Sequence, residues 1–185
     1  MILETPRLYL IHPPLIALKT RLIALQSRLQ RNDFTVFVPD LGFEVYFPPN
    51  FLGLDAELEH LPGWVAHVQQ HGQPADQPGG CVIHKLERIA VGGMGFKGEP
   101  DDTQSIEIGY GMNASHRGQG IATEGVAAFV GWALESGFVR RVTAETLETN
   151  LASGRVLEKN GFVRFGERFD VEEGGNLILW ERLKP

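Results

Sequence analysis

Ile106-Glu107-Ile108-Gly109-Tyr110-Gly111-Met112-Asn113-Ala114-Ser115-His116-Arg117-Gly118-Gln119-Gly120-Ile121-Ala122-Thr123-Glu124 runs through strand, turn and helix patterns in one short stretch. Alternation predicts a strand over Ser105 to Met112, with Ile106, Ile108, Tyr110 and Met112 on one face and Glu107, Gly109 and Gly111 on the other. A helix is expected from about Gly120 to Ser136, with Gly137 as its stop. The first amides of a helix have no partner within it, and glycines beside them let a ligand's oxygens approach the backbone closely. Strand, glycine turn and helix in this order make a cradle for a phosphate or pyrophosphate, and Arg117 adds a positive charge at its mouth. A tight turn that holds no ligand accounts for the same residues and stays open at this point.

The residue types narrow the phosphate chemistry. A Walker A loop needs Lys and then Ser or Thr after its last glycine, and here Gly125 is followed by Val126. Gly93-Met94-Gly95-Phe96-Lys97-Gly98 spells G-x-G-x-x-G, but Glu99-Pro100-Asp101-Asp102 after it reads as a hairpin turn and not as the start of a helix.

Downstream, the pattern gives a strand over Val139 to Leu147, a helix over Leu151 to Asn160 stopped by Gly161, and strands over Phe162 to Phe169 and Asn176 to Leu183. Upstream, Cys81 to Leu86 and Ile89 to Phe96 read as a hairpin. Gly72 to Gly80 is a loop rich in turn formers. Leu15, Leu18, Leu22, Leu25 and Leu29 place an amphipathic helix at Pro13 to Arg31, with Lys19, Arg21, Arg28 and Arg31 on its wet face. A second helix is expected from about Leu54 to Gln70, its core side Leu58, Leu61, Val65 and Val68, with Pro62 as a kink or restart. Phe43 to Pro49 reads as irregular or short extended chain. This is a mixed α/β pattern around one sheet, in a single domain over residues 1–185.

With 185 residues, 43% of them hydrophobic, the chain can bury a core without a staple, and collagen, coiled coil and wholesale disorder are excluded. The single cysteine, Cys81, can form no bridge within the chain. No apolar run reaches the length of a membrane span, and Met1 to Arg7 lacks the basic and apolar regions of a signal peptide. A soluble, unprocessed, cytoplasmic protein is expected. A net charge of -6 gives no broad footprint for nucleic acid and mildly favours a cationic acceptor. His67 and His71 stand one helical turn apart with His60 nearby, but no carboxylate or cysteine completes a set, so no metal is expected.

The stretch resembles the acyl-CoA-binding motif of the GNAT superfamily of N-acetyltransferases, Q/R-x-x-G-x-G/A, which Arg117-Gly118-Gln119-Gly120-Ile121-Ala122 matches at each constrained position. Asn150-Leu151-Ala152-Ser153-Gly154-Arg155-Val156-Leu157-Glu158-Lys159-Asn160-Gly161-Phe162 resembles the family's second motif. With the opening Glu4-Thr5-Pro6-Arg7-Leu8-Tyr9-Leu10, the chain is similar to the RimJ/RimL branch, named for N-terminal acetylation of ribosomal proteins. The resemblance implies a GNAT fold, α/β (α+β), with a mixed, largely antiparallel central sheet splayed at the acyl-CoA site and flanked by helices. It also implies an acceptor-pocket half at about residues 1–79 and an acetyl-CoA half at about 80–185.

Acetyl-CoA is the implied cosubstrate. Backbone amides from Gly118 through Gln119, Gly120, Ile121 and Ala122 to Thr123 would hold its pyrophosphate. Tyr110, Gly111 and Met112 would lie along the pantetheine arm, a backbone amide there polarising the thioester carbonyl, and Asn150 would reach the same arm. Ser153 would sit near the sulfur, or else cap a helix. A protonated amine cannot attack until it loses its proton, and Glu107, on the face opposite the apolar set, is the candidate base; a salt-bridged strand carboxylate is the alternative. Where many relatives place a Tyr that protonates the thiolate, this chain has Leu157. His116 is expected on the outer wall of the cradle, and Trp132 and Trp180 in the core. Trp64, Tyr46, Phe47 and Phe51 belong to the half that builds the acceptor pocket, where each could equally be core, and Glu44, Glu57 and Glu59 could meet a cationic acceptor. The expected partner is an amine acceptor, a protein N-terminus or a small amine such as an antibiotic or polyamine; a homodimer is compatible with it. A CoA- or nucleotide-binding module without catalysis is the competing class.

Overall fold

The structure, a computed structural model, describes residues 1–26, 33–49, 51, 61–72 and 77–185. Among these residues the chain forms ten strands and four α-helices, a mixed α/β arrangement with a largely antiparallel open sheet. Two compact units form: Met1–Met94 with Tyr110–Ile121, and Gly95–Gly109 with Ala122–Pro185.

In the first unit β1 (Leu3–Glu4), β2 (Leu8–Ile11), β5 (Cys81–His84) and the start of β6 (Ile89–Lys97) form an antiparallel ladder in that order. β3 (Phe34–Val38) and β4 (Phe43–Phe47) pair as a hairpin, joined to β6 by a parallel bridge between Tyr46 and Ile89. Two helices belong here, α1 (Leu15–Gln26) and α2 (Leu61–His71). Ile11, Val45, Phe47, Phe51, Cys81 and Ile83 pack into one buried cluster, and Leu18, Leu61, Val65 and Val68 into another. The Phe47 and Phe51 rings meet edge to face at 5.0 Å. Burying two such side chains contributes roughly 2 to 3 kcal/mol each, and both stand in the core.

The second unit contains most of β7 (Ser105–Met112), nearly all of α3 (Ile121–Glu135), and all of β8 (Arg141–Leu147), α4 (Leu151–Lys159), β9 (Val163–Asp170) and β10 (Gly175–Leu183). β7 and β8 run parallel, as a helical crossover requires, and β10 pairs antiparallel with both β8 and β9. The β7–β8 pairing is recorded for Ser105, Ile106 and Glu107 against Arg141, Val142 and Thr143, and for neither Ile108 nor Gly109. The ladder therefore ends before β7 does, consistent with a splay. Trp180 is buried and donates its ring N–H to Thr146 Oγ1 at 2.9 Å. Gly137 and Gly161 end α3 and α4 with φ of +78° and +75°, the left-handed conformation expected of helix stops.

Several expectations change. The pattern predicts none of β1 to β3, whereas of the two readings of Phe43 to Pro49 the short extended one holds, as the strand Phe43–Phe47. Phe34, Val36 and Val38 share one side of β3 while exposed Phe37 breaks the polar alternation, which hides the period of two. Arg21 is buried, not on a wet face, because it lies three residues from the fully buried Leu18 on the same side of α1. Trp132 is half-buried, in a cluster with Phe96, Phe129 and Phe138. Leu29, Arg28 and Arg31 of the first expected helix, the start of the second with Leu58, Glu57, Glu59 and His60, and residues 73–76 of the loop lie outside the described residues.

Candidate acyl-CoA site

Met112 ends β7 with its side chain buried, its sulfur beside the face of Gly92. A Cβ on Gly92 would fall 2.4 Å from the Gly111 carbonyl oxygen, so only glycine lets the two strands approach this closely. The Asn113 amide donates to Val91 and its Nδ2 to Ala90, which fixes the exit of the strand. A single 3-10 turn, Ala114–His116, follows.

His116 is buried, its ring bonded to Ser115 Oγ at 2.9 Å and to Glu87 at 3.2 Å, and Glu87 also meets His84 at 3.1 Å. The imidazole therefore braces the turn from beneath and does not line an outer wall. Arg117 donates Nε to the Met112 carbonyl at 2.9 Å, and its own amide goes to Ala114. Its guanidinium is anchored across the mouth, with its charge kept at the exposed turn. Gln119 ties back to the Ser115 carbonyl through Nε2.

Gly118 and Gly120 have φ of +73° and +76°, values that residues with a Cβ adopt only at a cost. Among the described residues no protein acceptor is recorded for the amides of Gly118, Gln119 or Gly120. The first-turn amides of α3, from Ile121 to Thr123, have no intrahelical partner by the geometry of a helix. Consecutive open N–H groups on an exposed glycine turn fit the oxygens of a diphosphate, so the donor set suits the group that the motif implies.

In the second unit Glu107 is half-buried and its Oε1 meets Lys97 Nζ at 2.5 Å. The carboxylate of the candidate base is thus an ion-pair partner. Asn150 caps α4, its Oδ1 accepting the Ser153 amide at 3.1 Å. The cap is Asn150 and not Ser153, which stands at the third helical position. Leu157 is fully buried, while Gly154 lies against Trp180, where a Cβ would fall 3.4 Å from the ring. A cavity of about 140 Å³ beside this helix is lined by Thr146, Asn150, Gly154, Arg155 and Trp180 among others. It is well below the roughly 300 Å³ at which small-molecule pockets begin, so it is no container for a whole cofactor.

Tyr110 and Gly111 are half-buried at the end of β7. Tyr46 donates its hydroxyl to Asp33, Trp64 is half-buried beside both clusters of the first unit, and Glu44 is exposed. The His67 and His71 rings lie 4.8 Å apart, and no group of three metal-binding side chains occurs among the described residues. No helix of the described residues is long and apolar enough to cross a membrane. One contact escaped the sequence reading: Arg7 Nη1 donates to the Gln119 carbonyl at 3.0 Å. The two residues stand 112 positions apart, beyond any local periodicity.

The family model described as an acetyltransferase (GNAT) domain matches residues 30–163. The chain is 45% identical over 82 residues to the uncharacterized N-acetyltransferase YjdG of Bacillus subtilis, covering 44% of this chain and 49% of that protein. It is 32% identical over 85 residues to the ribosomal-protein-serine acetyltransferase of Escherichia coli, covering 46% and 47%. The chain thus spans about half the length of the curated relatives it matches. Its fold is similar to that of RimL, a ribosomal L7/L12 alpha-N-protein acetyltransferase in complex with coenzyme A, with TM-score 0.64, 16% identity and coverage of 99% and 98%.

Proposed function

Because this chain belongs to the GNAT acetyltransferase family, we propose that it is an N-acetyltransferase passing an acetyl group from acetyl-CoA directly to a primary amine. The observation that carries the reading is the run of open amides at Gly118, Gln119 and Gly120, followed by the open first turn of α3. When bound, acetyl-CoA supplies an acyl thioester. Residues 118–123 grip the diphosphate, and Arg117 adds positive charge beside them. Tyr110, Gly111 and Met112 take the pantetheine arm, with one amide there aimed at the thioester oxygen; donors of this kind are worth roughly 3 kcal/mol. Asn150 caps α4 through its oxygen and reaches the same arm with its amide nitrogen. Ser153 donates to the sulfur.

The amine must lose a proton before it attacks, and Glu107 accepts it, directly or through water. Lys97 holds one oxygen of that carboxylate and orients the other. Transfer is direct, with no acyl-cysteine, since Cys81 is buried in the β2–β5 core. For the acceptor, the Escherichia coli relative acts on a ribosomal protein by its name, and RimL on the L7/L12 alpha-amine, which favours a protein N-terminus. A small amine is the second reading, supported by the net charge of -6. The proposed transfer needs no nucleic acid, metal or membrane, and a cytoplasmic site of action fits it.

The test is a screen of N-terminal peptides and small amines with acetyl-CoA, following release of CoA thiol. Turnover of a peptide N-terminus is expected; CoA binding without release for any amine would make the protein a binding module. In the same assay Glu107→Gln should lower turnover by roughly a hundredfold where the carboxylate is ionised and the amine still protonated, and progressively less at higher pH as the amine deprotonates by itself. An unchanged pH-rate profile removes Glu107 from the mechanism.

A further inference from the structure

We propose that Arg7 is a positioning residue of the diphosphate cradle, holding the Gln119–Gly120 peptide so that the Gly120 N–H faces the ligand. The inference rests on the reading of residues 118–123 as that cradle. A trans peptide points its C=O and N–H in opposite directions. Arg7 Nη1 draws the Gln119 carbonyl toward itself at 3.0 Å, so the Gly120 N–H of the same peptide is turned away from Arg7. That amide has no protein acceptor among the described residues, and Gly120 has the left-handed φ that the turned peptide requires. The guanidinium lies alongside as well: Arg7 Nη2 is 3.5 Å from where a Cβ on Gly120 would be.

Arg7 is itself rigidly mounted. It lies in the turn between β1 and β2, which is closed by the Thr5 amide on the Leu8 carbonyl at 3.0 Å and the Leu8 amide on Thr5 Oγ1 at 2.9 Å. Pro6 fixes the backbone in the middle of this turn. The Arg7 carbonyl accepts the Lys85 amide at 2.9 Å, and Lys85 Nζ bonds both Glu4 and the Thr5 carbonyl. An exposed glycine turn would otherwise sample many peptide orientations. A strand turn pinned at both ends delivers the guanidinium to one of its carbonyls and selects one orientation before the ligand arrives.

The test compares Arg7→Ala, Arg7→Lys and the wild type by two measurements. In the ligand-free protein, the heteronuclear NOE of the Gly118 and Gly120 amides should fall in Arg7→Ala and recover in part in Arg7→Lys. In titrations, Arg7→Ala should weaken CoA by about tenfold, the scale of one hydrogen bond to a charged donor, and change S-acetylpantetheine, which lacks the diphosphate, by less than about twofold. Equal losses for both ligands would mean a general structural role and would overturn the proposal. Unchanged order of the two amides would also overturn it, placing any effect of Arg7 in direct contact with the ligand. Failure of the wild type to bind CoA would overturn the acetyltransferase reading itself, an outcome separate from either of these.

Discussion

At the start of α4 the Asn150 side chain accepts the Ser153 amide, whereas ahead of α3 the amides of Gly118, Gln119 and Gly120 reach no protein acceptor among the described residues. The two helices follow strands in similar fashion, yet one start is sealed by the chain's own oxygen and the other is left open. Sealing is inexpensive in sequence terms, since one Asn, Asp, Ser or Thr suffices. A chain that instead places positive-φ glycines at 118 and 120, and braces the turn with Arg7, Gln119, Arg117 and His116, has built a rigid surface of donors. Such a surface suits an anion that comes from outside.

The largest effect should come from spoiling the open side. Gly120→Val puts a β-branched side chain at φ +76°, where the local strain is about 1 to 2 kcal/mol, and sets it against Arg7, whose Nη2 lies 3.5 Å from where the Cβ would be, so that the turn and its amides must shift. CoA affinity, read by calorimetry, is expected to drop by roughly a hundredfold, out of proportion to a modest loss in thermal stability. Retained affinity would show that the diphosphate is held elsewhere, and the contrast between the two helix starts would then have no functional meaning.

The sealed side should answer in the opposite currency. Asn150→Ala removes the cap and should cost about 1 kcal/mol in chemical denaturation, whereas Asn150→Asp keeps the acceptor and should restore most of it. Asp lacks the amide nitrogen, so CoA binding to Asn150→Asp reports separately on the role of Nδ2. A fall in affinity at restored stability gives Asn150 a place on the pantetheine arm; unchanged affinity confines it to capping.

The same contrast marks how far the sequence could be read. β7 occupies Ser105–Met112 as the alternation of Ile106, Ile108, Tyr110 and Met112 predicts, with Tyr110 only half-buried, and Gly137 and Gly161 stop their helices, because each of these signals lies within a few residues. The R-G-Q-G-I-A turn was legible for the same reason. Phe37 at the surface and the contiguous apolar residues Leu8 to Ile11 hid β3 and β2, whose partners set their faces more than their own pattern does. What braces the turn was invisible: Glu87 beneath His116 and Arg7 on Gln119 are contacts that only the folded chain brings about. Lys97 on Glu107 likewise crosses a hairpin, so the ion pair that qualifies the candidate base could be named only as an alternative.

The smallest expected effect tests whether sealing by a side chain operates elsewhere in the molecule. In the turn between β6 and β7, Asp101 Oδ1 accepts the Thr103 hydroxyl at 2.6 Å and the amides of Thr103 and Ser105 at 2.8 and 2.9 Å. These bonds, the Thr103 hydroxyl first, favour the charged carboxylate and hold its pKa below the ordinary 3.8. A carboxyl depressed in the folded state contributes stability above its unfolded pKa, and that contribution disappears as the pH falls through the folded value. Asp101→Asn cannot ionise, so its deficit in urea midpoint against the wild type should be greatest near neutrality and shrink by about pH 3. The side chain is solvent-exposed, which keeps the whole effect slight. A deficit that is the same at both pH values would mean that the turn closes its amides without using the charge. Asp101 would then resemble Asn150, sealing its amides by geometry alone, and the open set of Gly118 to Gly120 would differ from both in taking its negative charge from the ligand.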